Sequence, residues 1–177
     1  HPIPGRLPVQ PAFLVTYLLA MCATVEEASR VIREQIWLAG LPLLGAVPPV
    51  HWMFTDAGGE SIVVEAGPDG VHLYRRALGI LTNSPSYPWQ RLNLLNYSHL
   101  RDADYGDLVI GEEHIPQCFS GTGALGLPGD WSSPSRFVRL AFLRQHCPKG
   151  RTEAEAVSRL FRILQGVAFP LGAVRVA

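Results

Sequence analysis

Three short apolar runs separated by glycine-bearing turns constrain this chain most. VHWMFTD at 50–56, SIVVEA at 61–66 and VHLYRR at 71–76 are joined by AGGE and GPDG. Runs rich in β-branched and aromatic residues that end in Gly, Pro and Asp read as strands. The spacing predicts a three-strand meander, with a fourth strand, LGILTN at 78–83, ending at the turn SPSYP. SIVVE is largely β-branched and apolar, which suits a central or well-covered strand.

Helical patterns flank the meander. Residues 11–22 are apolar with Pro at the first turn, as in a buried helix. Thr24 and Glu27 have capping-box spacing, and Val25, Ala28, Val31, Ile32 and Ile36 recur at helical intervals. This second helix is expected to reach about residue 38 and stop near Gly40-Leu41-Pro42. Further helices are expected over 89–100, over 133–145 with Ser132 or Ser133 as cap, and over 152–165. Residues 1–10 and 41–50 read as loops, 101–120 as polar and irregular, and 172–177 as a strand. Helices, then strands, then helices predict an α+β fold with a mostly antiparallel sheet rather than a doubly wound one. A length of 177 residues suits one domain spanning 1–177.

Composition excludes several functions. Fifteen basic and fifteen acidic residues leave a net charge of +0. No overall field therefore draws the chain to nucleic acid or an anionic membrane. Hydrophobic residues at 47% and charged residues at 17% rule out global disorder. No apolar run reaches the ~18 residues of a membrane span, and no secretory leader pattern is present in these residues. Cys22, Cys118 and Cys147 are far apart, with no CxxC pair. Neither a zinc site nor a disulfide framework is expected, and each cysteine reads as a small apolar side chain. No metal-ligand spacing links the histidines and acids.

Three stretches invite a chemical reading. GTGALG at 121–126 matches G-x-G-x-x-G, but it follows a polar loop and precedes LPGD. A dinucleotide site needs a strand before that run and a helix after it, so a glycine-enabled loop is the better reading. In SSPSRFVR, Arg136 and Arg139 share a helical face. They form either a solvated basic edge or a place where one Arg turns inward to hold a carboxylate or orient a nucleophile. In LTNSPSYPW, Asn83 is either ordinary turn chemistry or an amide donor aimed at a developing oxyanion. There is no G-x-S-x-G.

Taken together, these stretches resemble the choloylglycine hydrolase family, whose members include bile salt hydrolases and penicillin V acylases. The matching runs are CATVEEA, VHWMFTDAGGESIVVE, LGILTNSPSYPWQRLNLLNY, GTGALGLPGDWSSPSRFVRLAF and LFRILQGVAFPLGA, in the family's order. The resemblance implies the N-terminal nucleophile hydrolase fold, an αββα sandwich, here incomplete. It implies that Asn83 binds the substrate carbonyl or oxyanion. It implies that Arg136 sits beside the nucleophile and favours its thiolate. The implied substrate is a small amide, either a conjugated bile salt or a penicillin V-like compound, and no metal and no organic cofactor is implied. A homo-tetramer is implied through the 101–120 segment. The compartment stays open between cytoplasm and periplasm.

The chain also departs from the pattern. The family uses a Cys at its mature N-terminus, with its own α-amino group as base. No cysteine here stands in that motif. The family's Asp and Arg after the nucleophile, its other active-site Asn and its C-terminal strands have no counterpart. Arg76 stands where the family often has Asn. The chain reads as the middle of a longer hydrolase, inactive when made alone, whose sheet edges are left open. The alternative is a short, inactive paralogue working as a binding or assembly module.

Overall fold

The computed structural model describes residues 2–43, 45–47 and 49–174. The chain divides into two compact units, His1–Leu81 and Thr82–Ala177. In the first, strand β1 (Leu7–Val9) leads into a short turn and helix α1 (Leu14–Met21). Helix α2 (Val25–Arg30), a π-helical turn over Val31–Gln35 and strand β2 (Ile36–Leu38) follow. A meander of β3 (His51–Thr55), β4 (Ser61–Gly67) and β5 (Gly70–Arg75) completes it.

Local chemistry sets these boundaries. The Thr24 hydroxyl accepts the Glu27 N–H at 3.2 Å. The Glu27 carboxylate in turn accepts the N–H groups of Ala23 at 2.8 Å and Thr24 at 3.2 Å. This reciprocal cap satisfies donors that a bare helix end leaves open. Asp56, in the β3–β4 turn, accepts the Val25 N–H at 3.0 Å and ties the hairpin to the start of α2. The antiparallel register puts Trp52 opposite Val64 and Phe54 opposite Ile62. These side chains face Leu14, Leu18, Val25, Ala28 and Ile32 in one core. Ile62, Val63 and Val64 are fully buried, as expected where apolar residues occupy both faces of a strand. The open edges belong to β3 and β5, because SIVVE pairs on both sides.

Four expectations need correction here. The second helix ends before residue 38: Ile36 adopts extended geometry at φ −123°, and β2 pairs in parallel with β1. Apolar spacing at 31–38 suits either element, and β-branched Ile36 favours the strand. The loop expected at 1–10 therefore contains β1. The 78–83 strand is not formed. Arg76 at φ 51° and Gly79 at φ 67° are both left-handed, which turns the chain out of any ladder. Residues 172–174 are not a strand, and the rest of the expected C-terminal strand, 175–177, lies outside the described residues.

The second unit holds α3 (Tyr87–Asn93), a short hairpin of β6 (Leu108–Ile110) and β7 (Glu113–Ile115), α4 (Ser133–His146) and α5 (Glu153–Gln165). Helix α3 starts two residues before the expected 89, with Pro88 in its first turn, and 94–97 tighten into a 3₁₀ turn. The hairpin corrects the expectation of irregular chain across 101–120. Ser132 and Thr152 cap α4 and α5, each accepting an N–H three residues on. Tyr87 and Phe137, both buried, meet edge to face at 6.1 Å and fasten α3 to α4. GTGALG is a tight loop: a Cβ on Gly123 would meet the Ala103 carbonyl oxygen at 2.1 Å. It packs backbone on backbone.

Arg76 is the one non-glycine residue with positive φ among the described residues. L-residues other than Asn and Asp resist this region by roughly 1–2 kcal/mol. Arg76→Asn is therefore expected to raise stability by up to about 1 kcal/mol in urea unfolding. A lower midpoint would contradict the strain.

Candidate functional site

Asn83 stands at the head of the turn before α3, exposed, with a cis Ser84–Pro85 bond just after it. Arg136 lies in the first turn of α4, half-buried. The structure brings these two sequence-selected residues into direct contact. Arg136 Nη2 donates to Asn83 Oδ1 at 2.9 Å. Its Nε donates to the Trp131 carbonyl at 3.1 Å, and its guanidinium carbon lies 5.0 Å from the centre of the Phe169 ring. Burial and the neighbouring Arg139 charge both push its pKa down, yet a guanidinium stays cationic at any working pH.

This contact determines which way the amide points. A guanidinium offers only donors. The Asn83 oxygen must face it, so the NH2 group is turned away and is free to donate. The cation also polarises the amide and strengthens that donor. A preorganised, outward-facing N–H pair backed by a fixed charge suits a developing oxyanion.

Helix α4 also holds the Asn83 backbone. Ser133 Oγ donates to the Asn83 carbonyl at 2.6 Å, and the buried Gln90 of α3 reaches the same carbonyl at 3.3 Å. The sequence reading selects neither residue. No sequence signal sets Gln90 apart, because Arg91 and Asn93 of the same helix are equally polar; only the fold shows that it is buried and needs partners.

Arg139 differs from Arg136. It is buried and given over to carbonyls: Pro128 and Asp130 at 2.7 Å and Gly166 at 2.9 Å. Neither arginine forms the solvated edge that helical spacing allowed. Arg139 knits the end of α5 to the loop before α4.

The start of α4 is set by Asp130. Its carboxylate accepts the Ser132 N–H at 2.9 Å and the Ser135 hydroxyl at 2.5 Å. Hydrogen bonds from the Ser132 and Ser135 hydroxyls and the Ser132 N–H hold its pKa down at about 2. Cys22 is not set up as a nucleophile. Burial first, and Glu27 second, push the Cys22 thiol up, away from the thiolate. Among the described residues, no three His, Cys, Asp or Glu side chains gather where a metal ion could bind, and no helix is long and apolar enough to cross a membrane.

A carboxyl pKa depressed on folding adds stability above its unfolded value, near 3.9, that is lost as pH falls toward 2. Asp130→Asn is therefore expected to lower the melting temperature at pH 7. The gap from the parent chain should close between about pH 4 and pH 2. A gap independent of pH would show that the carboxylate does not carry the effect.

A family model described as linear amide C–N hydrolases, choloylglycine hydrolase family, matches residues 1–177. A bile salt hydrolase/transferase of Clostridium perfringens is 32% identical over 98% of this chain and 53% of its own length. A bile salt hydrolase/transferase of Lactiplantibacillus plantarum is 34% identical over 92% of the chain and 50% of its own. Among solved structures, a mutant conjugated bile acid hydrolase from Clostridium perfringens superposes with a TM-score of 0.87 at 31% identity. It covers 99% of this chain and 54% of that one. Penicillin V acylase from Agrobacterium tumefaciens shares the fold, with a TM-score of 0.73 at 24% identity over 96% of this chain and 45% of that one. The chain thus spans about half the length of these relatives.

Proposed function

The chain belongs to the choloylglycine hydrolase family of linear amide C–N hydrolases, and on that premise we propose that its residues supply the carbonyl-binding part of an amide hydrolase. The Arg136–Asn83 contact carries this reading. In the proposed reaction a cysteine thiolate outside residues 1–177 attacks the amide carbon. The carbonyl oxygen becomes an oxyanion and accepts hydrogen bonds from Asn83 Nδ2. The C–N bond breaks, the amine leaves with a proton, and water then hydrolyses the thioester to acid and thiol. Arg136 holds the Asn83 amide in place, and its charge favours thiolate over thiol.

We propose a conjugated bile salt as the substrate. The support is that the relatives quoted above 30% identity are described as bile salt or conjugated bile acid hydrolases. The acylase likeness speaks for the fold.

The test compares the 177-residue polypeptide with the same residues joined to the N-terminal Cys segment and the C-terminal strands of a relative, both assayed for release of glycine from glycocholate and of the side-chain acid from penicillin V. The joined protein is expected to hydrolyse glycocholate, and the 177 residues alone are not. Removing an oxyanion donor costs on the order of 10²–10³ in kcat, so Asn83→Ala should lose that much. Turnover by the 177 residues alone, or full kcat in Asn83→Ala, would refute the reading.

The proposal extends to homo-tetramer assembly. Its support is the β6–β7 hairpin, where Leu108, Val109, Ile110 and Ile115 are all exposed. Light scattering on the joined protein is expected to give four copies, falling to one in Ile110→Asp. An unchanged mass in that variant would exclude the hairpin.

A further inference from the structure

One buried amide in the second unit is only half satisfied. Gln90 is 2% exposed. Its Nε2 lies 3.3 Å from the Asn83 carbonyl oxygen, 3.2 Å from Ser133 Oγ and 3.5 Å from Thr82 Oγ1. Its Oε1 is buried without a partner. A buried acceptor left unmade is costly, and each such group calls for an explanation.

Proton accounting supplies it. The Asn83 carbonyl can only accept. Ser133 Oγ has one proton and spends it on that carbonyl at 2.6 Å. Thr82 Oγ1 has one proton and donates it to the Ser133 carbonyl at 3.2 Å. The Ser133 hydroxyl also lies 2.9 Å from Thr82 Oγ1, but its single proton cannot serve both acceptors and the carbonyl is the nearer. Only the Gln90 NH2 brings further donors into this cluster. Flipping the amide would set its oxygen against the Asn83 carbonyl oxygen, two acceptors face to face. The NH2 must therefore point inward, and the orphaned oxygen follows from that choice.

We propose that Gln90 and Ser133 are positioning residues for Asn83. This rests on the amide hydrolase reading. Ser133 and Arg136 are three residues apart on one face of α4. The first fixes the Asn83 backbone, the second its side chain, and Gln90 closes the grip from α3. With residue 83 held at two oxygens, the Nδ2 donor has one direction. Positioning of this kind affects the transition state more than ground-state binding, because misplacement by about 1 Å can cost about 10²-fold in rate.

The experiment uses the joined, active protein described above with glycocholate as substrate. Gln90→Met keeps shape and removes the donors. Ser133→Ala keeps the helix and its Ser132 cap. Both are expected to lower kcat by about 10- to 100-fold with KM nearly unchanged. Ser133→Thr, which keeps the hydroxyl, should restore kcat. Melting temperatures separate unfolding from mispositioning, and should Gln90→Met not fold, the Ser133 pair decides. The proposal falls if Asn83→Ala loses kcat while Ser133→Ala retains it, or if the loss lies in KM alone. Full kcat in Asn83→Ala would instead bring down the hydrolase reading and the proposal with it.

Discussion

The site depends on the fact that a guanidinium cannot accept a hydrogen bond. Place one against a primary amide and the amide has a single choice. Arg136 therefore does more than bring charge to the neighbourhood. It removes the rotational ambiguity of the Asn83 amide and leaves the NH2 group facing away from the guanidinium. An exposed asparagine on a turn would otherwise sample several rotamers, and ordering it during reaction would raise the barrier.

That orientation is only as firm as the first turn of α4. The turn is built from several weak pieces that agree. Ser132 caps it, and Asp130 reaches the same backbone and the Ser135 hydroxyl. Phe137 and Val138, buried just beyond Arg136, anchor the helix through apolar contact. Each polar contact is worth about 1 kcal/mol. Burial of a phenylalanine contributes about 1.5–3 kcal/mol, so packing sets where the helix lies and the polar groups set where it begins. Arg136 sits where these two influences meet.

Much of this was legible in the sequence, for identifiable reasons. The meander followed from AGGE and GPDG, because turn chemistry is local. The Thr24–Glu27 box and the Ser132 and Thr152 caps were equally local and formed as read. Asn83 and Arg136 stand out through the family resemblance, and the structure places them in contact. What the sequence hid was non-local. Residues 36–38 continue a helical apolar rhythm and become a strand because Leu7–Val9 offers a partner, which periodicity does not reveal. LGILTN has strand composition, but left-handed Arg76 and Gly79 deny it a ladder. Gln90 looked like any surface residue of a helix until the fold buried it beside Ser133, forty-three positions away.

Among the described residues, two buried side-chain atoms of the second unit lack partners. Arg139 Nη2 is unpaired, but its guanidinium makes three hydrogen bonds to carbonyls and spreads its charge over the Trp131 face at 5.3 Å. The Gln90 amide also bonds through its NH2 group, but it carries no charge to spread, and its oxygen is a bare acceptor. An apolar residue of similar shape would relieve that cost, since replacing a poorly satisfied buried polar group is often neutral or better for stability. Stability alone therefore does not explain a glutamine there. Its donors to the residue 83 carbonyl do, and the unsatisfied oxygen is the structural trace of that requirement.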